Sequence, residues 1–500
     1  MKTSQDESVK PAKEKSSLTK IKGQNLLKNI KTTFLTWSQS VTYHCFPKIF
    51  KEKTHLIMKF VWAGVFIGFL GMTSWILANI VIQYYQYSVV SNIQIVDESP
   101  NLFPTVTICD SNPFTTQYAE NLIEYLAMNL YNITNPTYSE YSAVMDSLFL
   151  YAKIYVNNPD FGDENRSKLG FDLSQIIQCK FDYVNCSLEK DFHSFFHFDY
   201  GNCFQFNSGL SLSNEAVSLK STTYSGSKYG LKVILGPLVN HNKYPMLYSK
   251  SLKVFIKNQS QPLLSDFDDS LSIRPGDEAS ITIERTFTSK TSAPYSNCIT
   301  GNNYNSELFR FIIGSNKTYT RLECTALFFQ RHIINSCQCF YTAYTMLYKS
   351  PPCLNSSHLS CLTTNMDFFL KYGTSTADYL IECPVECDTI KYETQLSNSE
   401  FPSLEFYNLY KTSQEFEIIQ STFNVNLSTH ELAKEYMYAL NVYYSSTSYT
   451  YISDSPQTTL YGLFSSLGGS LGMFLGLSVF SLIEVFEILF EILFVACFKK

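Results

Sequence analysis

Two long apolar runs near the ends of the chain predict membrane-spanning helices. Phe60–Ile82 is 23 residues without a charge, and Leu460–Ile483 is another 24, continued by largely apolar residues to Phe498. At 1.5 Å per residue, either run can cross a hydrocarbon core about 30 Å thick. Between them the pattern shifts to short, mixed elements. Leu122, Leu126 and Leu130 recur at helical spacing within Gln117–Leu130, and Ala143–Val156 reads the same way. Ser306–Ile313, Thr325–Ile334 and Met366–Tyr372 also predict helices. Ser280–Ile283 follows the Pro275-Gly276 turn and alternates as a strand does, while Val233–Leu235 and Tyr438–Tyr444 have the same β character. No repeat is visible. The expected fold class is α+β: two transmembrane helices and a large, disulfide-rich, mixed α/β extracellular domain.

Charge then orients the chain. The first 55 residues carry eleven lysines against four acidic residues, and the positive-inside rule places that end in the cytosol. The expected divisions are a cytosolic tail (1–55), a first span (56–83), an extracellular domain (84–459), a second span (460–498) and a cytosolic end (499–500). The apolar run begins too late and is too long for a cleaved signal peptide. Residues 84–459 hold 24 basic and 37 acidic residues, a net charge of −13. They also hold all the glycosylation sequons: Asn132, Asn165, Asn258, Asn316, Asn355 and Asn426, with Asn185 a weak acceptor because Cys186 follows it. Twelve of the fourteen cysteines lie there too, an even number suited to an oxidising compartment. Cys45 and Cys497 are expected to be free. Cys337-x-Cys339 raises zinc ligation, but the chain lacks a partnering tetrad at finger-like spacing.

The second run does not read as a plain anchor. Gly468, Gly472 and Gly476 recur every fourth residue, as do Gly462, Ser466 and Ser470. Such stripes let helices approach closely or leave room for ions beside the backbone. Glu484, Glu487 and Glu491 fall at i, i+3 and i+7, on one face of a helix. Intramembrane carboxylates face water or a partner, and a ring of them would concentrate cations at a pore mouth. The plain alternative is a solvated helix face beside glycines that serve packing alone.

Several stretches together resemble the degenerin/epithelial sodium channel family. They are Phe103-Pro104-Thr105-Val106-Thr107-Ile108-Cys109, Gly201–Asn207, Lys257–Pro262 with Ser272–Glu284, Cys383–Ser403, and Gly468–Ser478 with its Gly476-x-Ser478 tract. The resemblance covers nearly everything beyond the N-terminal tail. It implies a plasma-membrane trimer that conducts Na⁺, with Gly476, Leu477 and Ser478 as selectivity filter and Ser465 with Ser466 at the gate. His44, Glu484, Glu487 and Glu491 would line the inner pore, and Tyr87 with Tyr295 would couple gating. It also implies the pairs Cys109–Cys203, Cys179–Cys186, Cys298–Cys387, Cys324–Cys383, Cys337–Cys361 and Cys339–Cys353. A seventh bridge of some relatives is lost at both ends, at Phe328 and Ile381.

This chain departs from the family in several places. The family's cytosolic His-Gly pair is His44-Cys45, and Cys does not reach glycine's conformations cheaply. That change is expected to alter the segment that narrows the inner pore. Ser466 replaces the aspartate of acid-sensing members, and Ser88-Val89 stands where they carry paired histidines, which weakens proton gating. An acidic domain in a chain with 35 Tyr and 39 Phe suits a cationic aromatic ligand, as in the invertebrate branch gated by RFamide peptides. The implied partners are related subunits in a homo- or heterotrimer, an extracellular peptide and membrane lipid. No cofactor, metal or nucleic acid is implied. A proton-gated channel, a non-conducting subunit and a two-span scavenger-type receptor are the alternatives. An ATP-gated trimer would need clustered extracellular cations, and an enzyme would need a motif that is not found.

Overall fold

The computed structural model describes residues 28–51, 54–131, 138–238, 249–259, 261, 263–264, 269–301, 304–315 and 317–498. The chain divides into two units, Met1–Val90 with Ser455–Lys500, and Ser91–Asp454.

In the first unit, Leu56–Tyr85 forms one 30-residue helix. It is apolar on every side, as a helix surrounded by lipid must be, and it is long and apolar enough to cross a membrane. The second apolar run is not one helix. It forms Leu460–Leu475 and Val479–Phe498, bent by 69° at a short break. A continuous pore-lining helix over 460–498 is therefore corrected to a broken one, and the glycine stripe and the glutamates lie on different halves. The cause is local. Gly476 sits at φ +69°, a left-handed conformation that ends helices and that side chains reach only at a cost. Two residues on, the Ser478 hydroxyl accepts from the Ser481 N–H at 3.4 Å, and the Ser481 hydroxyl accepts from the Ser478 N–H at 3.1 Å. This reciprocal cap starts the next helix.

In the second unit, the central sheet runs Val89–Asp97, Ser448–Pro456, Asp277–Ser289, Tyr438–Tyr444, Leu231–Leu235, Ile176–Phe181 and Val184–Asn185. Asp388–Glu400 pairs antiparallel with Asp277–Ser289 as a branch. Its core face is Leu231, Val233, Ile281, Ile283, Leu440 and Val442. A five-stranded antiparallel sheet joins Leu271–Ile273, Leu252–Lys257, Thr105–Asp110, Gly201–Phe206 and Phe192–His197. Helices Gln117–Tyr131 and Tyr138–Val156 share one core cluster, and Arg321–Cys337 with Ser356–Tyr372 share another. The strands and helices foreseen between the spans are all present, most with longer ends.

Six disulfides join Cys109–Cys203, Cys179–Cys186, Cys298–Cys387, Cys324–Cys383, Cys337–Cys361 and Cys339–Cys353, the pairs that the resemblance implies. Cys337 and Cys339 are thus committed to bridges, and among the described residues no cluster could hold a metal. At Phe328, one of the two positions where the resemblance implies a lost bridge, the ring packs 5.5 Å from Tyr379 and 6.1 Å from Phe369. Asn355 and Asn426 are exposed at element ends, and Asn165 is half-buried, donating to Phe161 O at 2.8 Å. Asn258 is half-buried. Asn132 and Asn316 lie outside the described residues.

Candidate functional site

The break in the second apolar run is braced by the segment that precedes the first one. A helix ends at residue 40, and Phe46–Phe50 forms a short helix before Leu56. Between them, Thr42, Tyr43 and His44 reach the break. The His44 N–H donates to Leu475 O at 2.9 Å, satisfying a carbonyl at the helix end. The His44 ring fills the space beside Gly476, where an added Cβ would lie 2.8 Å from its atoms. The Thr42 N–H and hydroxyl donate to one Glu484 carboxylate oxygen at 3.1 and 3.0 Å. The same hydroxyl lies 2.8 Å from that of Ser481, which is fully buried. Trp37 Nε1 donates to Glu484 O at 3.1 Å, and the Tyr43 hydroxyl donates to Ser481 O at 3.4 Å.

Aromatic packing holds this segment to the first helix. The Phe46 ring lies 5.7 Å from Phe66 and about as far from Trp37 and Tyr43, at 6.2 Å each. Lys48 Nζ sits 4.6 Å above the Trp62 ring, a cation–π contact. Cys45, where the resemblance implies a glycine, adopts φ 68°. Cys45 takes this left-handed conformation at a cost of about 1–2 kcal/mol, while its neighbours' hydrogen bonds and edge-packed rings hold it there.

The structure therefore brings His44, Gly476, Ser478 and Glu484 together with Leu477 in the break between them. It does not bring Ser465 and Ser466 there. Both are exposed, on the half-helix that ends at Leu475. Glu484 is half-buried, whereas Glu487 and Glu491 are exposed on the second half. Gly468 and Gly469 have nothing within 4 Å of an added Cβ, so that face of the helix is open. Tyr87 follows the first helix at φ 51°, its ring 6.3 Å from both Tyr84 and Tyr85. Tyr295 belongs to the second unit, where its N–H donates to Ser292 O at 3.2 Å. Sequence reasoning missed Thr42, Trp37 and Ser481. Their partners lie more than 400 positions away, and no local spacing marks such a contact; only Gly476-x-Ser478 carried a signal, as a helix stop followed by a helix cap.

The family model described as amiloride-sensitive sodium channel matches residues 37–488. Acid-sensing ion channel 1C of Danio rerio is 24% identical over 481 residues, which cover 91% of this chain and 83% of that protein. Degenerin-like protein asic-2 of Caenorhabditis elegans is 25% identical over 462 residues, 86% of this chain and 81% of that one. Epithelial sodium channel subunit gamma-2 of Xenopus laevis is 24% identical over 383 residues, 75% of this chain and 55% of its own length.

Proposed function

Because the chain belongs to the amiloride-sensitive sodium channel family, a family of ion channels and not of enzymes, we propose that it is one subunit of a trimeric, Na⁺-conducting channel opened by an extracellular ligand. The observation that carries this reading is the break at Gly476–Ser478, braced by His44 and Thr42. A broken helix frees backbone carbonyls from intrahelical bonding, and these, with the Ser478 hydroxyl, replace part of a cation's hydration shell where three subunits meet. The open glycine face of Leu460–Leu475 suits close approach of a neighbouring subunit. Ser465 and Ser466 then stand where a small side chain permits closure. Both termini face the cytosol in the plasma membrane, and Tyr87 and Tyr295 take part in coupling ligand to pore.

The ligand we favour is a cationic, aromatic peptide of the RFamide type, supported by the acidic, aromatic-rich domain. One observation favours proton gating as a second reading: burial pushes Asp110 up to about 6, inside the range of extracellular acidification. Whole-cell recording from cells expressing this chain alone tests both. Peptide-evoked, Na⁺-selective current at constant pH supports the first reading. Current evoked by acid alone replaces it with the second. Silence to both with the protein at the surface points to a subunit that needs a different partner.

A further inference from the structure

On the second unit, one cavity of 470 Å³ has a charge opposite to that of its surroundings. It is lined by Lys180, Lys228 and Lys232 against a single carboxylate, Glu278, in a domain whose net charge is −13. Glu278 pairs with Lys232 at 3.2 Å. Among the described residues, Lys180 and Lys228 have no ion-pair partner. The excess of two positive charges is built into the sheet. Lys180 lies directly opposite Lys232 on neighbouring antiparallel strands, Lys232 directly opposite Asn441, and Asn441 beside Ser280. Directly paired residues share a face of the sheet, with Cβ atoms about 5 Å apart, and like charges in such a pair destabilise it.

The polar row is therefore Lys180, Lys232, Asn441 and Ser280. Asn441 is 6% exposed, and its Oδ1 has no hydrogen-bond partner. Its Nδ2 is the atom of the amide that donates to an anion in the cavity. Gly230 brings the third lysine close. Any Cβ there would lie 2.0 Å from Val442 O, so only glycine lets the loop carrying Lys228 lie against the strand. The opposed lysines are relieved by one anionic ligand.

We propose that this cavity is a binding site for a small multivalent oxyanion of the sulfate or phosphate type, bridging Lys180 and Lys232 with Lys228 closing over it. Asn441 and Ser280 supply neutral hydrogen bonds from the floor. Such an anion neutralises the opposed pair and ties together four strands of the central sheet. The site does not depend on how the channel is gated.

The test follows thermal unfolding of the full-length protein in detergent, in sodium sulfate against sodium chloride at equal ionic strength. Sulfate should raise the wild-type midpoint saturably. Lys180→Gln and Lys232→Gln should each weaken the apparent affinity roughly fivefold or more, and Lys180→Arg should preserve it. In chloride, Lys180→Gln should be at least as stable as wild type, because it removes the like-charge opposition; this shows that the variant folds. Sulfate also stabilises proteins by exclusion from their surfaces, so Lys371→Gln, an exposed lysine on the helix Ser356–Tyr372, should respond as wild type does. Equal gains in wild type and Lys180→Gln, or no saturable gain in wild type, would overturn the site.

Discussion

At the scale of single residues, two positions beside the break hold left-handed backbone, and they differ in what a substitution does. Gly476 has φ +69° and the His44 ring against it, so Gly476→Ala meets both backbone strain and a clash. The strain alone is about 1–2 kcal/mol. The expected outcome is normal surface expression with a changed Na⁺/K⁺ permeability ratio or lost current, read from reversal potentials; an unchanged ratio sinks the filter assignment. Cys45→Gly works in the opposite direction. It removes strain at φ 68° and should stabilise the segment by about 1 kcal/mol, seen as greater protection of residues 42–48 from modification by cysteine-directed probes at introduced sites. Equal protection in both proteins would show that the strain is negligible. Asp110 is a third case, in the other unit. It is buried at the end of Thr105–Asp110, faces Lys250, and accepts from the Asn112 N–H at 2.9 Å. Lys250 is itself pushed down by burial, and donates to Glu435 O at 3.0 Å. Because the folded-state pKa of Asp110 lies above its unfolded value, its stability contribution is full below about pH 4 and is lost as pH rises through about 6. Asp110→Asn keeps the acceptor and removes that loss. Its thermal midpoint should exceed wild type at pH 7.5, by an amount equivalent to about 3 kcal/mol at most, and the gap should close toward pH 4. A gap independent of pH would mean that Asp110 is ionised at no cost.

At the scale of elements, the two halves of the second apolar run do different work. Leu460–Leu475 presents small residues, while Val479–Phe498 carries the carboxylates. Glu484, Glu487 and Glu491 share a helix face, yet only Glu484 accepts from Thr42. Neutralising Glu484 should therefore change conductance most and Glu491 least, the latter being farthest from the break and most screened. The reason for the first is anchoring as much as field. Thr42→Val and Glu484→Gln should be non-additive in a double-mutant cycle on single-channel conductance. Additive effects would return Glu484 to the role of a simple pore charge. The resemblance implies a filter role for Gly476-x-Ser478, but its role as stop and cap is not legible from hydropathy, because the apolar pattern runs through it without interruption. Hydropathy reports what solvates a segment; it does not report a change in axis.

At the scale of the whole molecule, the assembly makes the last prediction. The protein purified in mild detergent should have a polypeptide mass near three times 57.2 kDa by light scattering, once glycan and detergent are subtracted. A monomeric mass in native-like lipid discs would rule out a pore built where three subunits meet. Much was determined by sequence alone. Composition and run length set the two apolar segments, since burial of some twenty uncharged residues leaves few alternatives to lipid. β-branched and aromatic composition marked Tyr438–Tyr444 and Val233–Leu235 as strands, because such side chains fit a pleated, buried surface. Resemblance supplied the six cysteine pairs. Tertiary structure alone decided three things: that Glu484 meets Thr42 across 442 positions, that Cys45 is held left-handed by its neighbours, and that Lys180 faces Lys232 beside Asn441. The physical reason is common to all three. Local propensity acts within a turn or a strand, whereas register and bracing are set by which distant surfaces bury one another, and that choice is made only when the chain is folded.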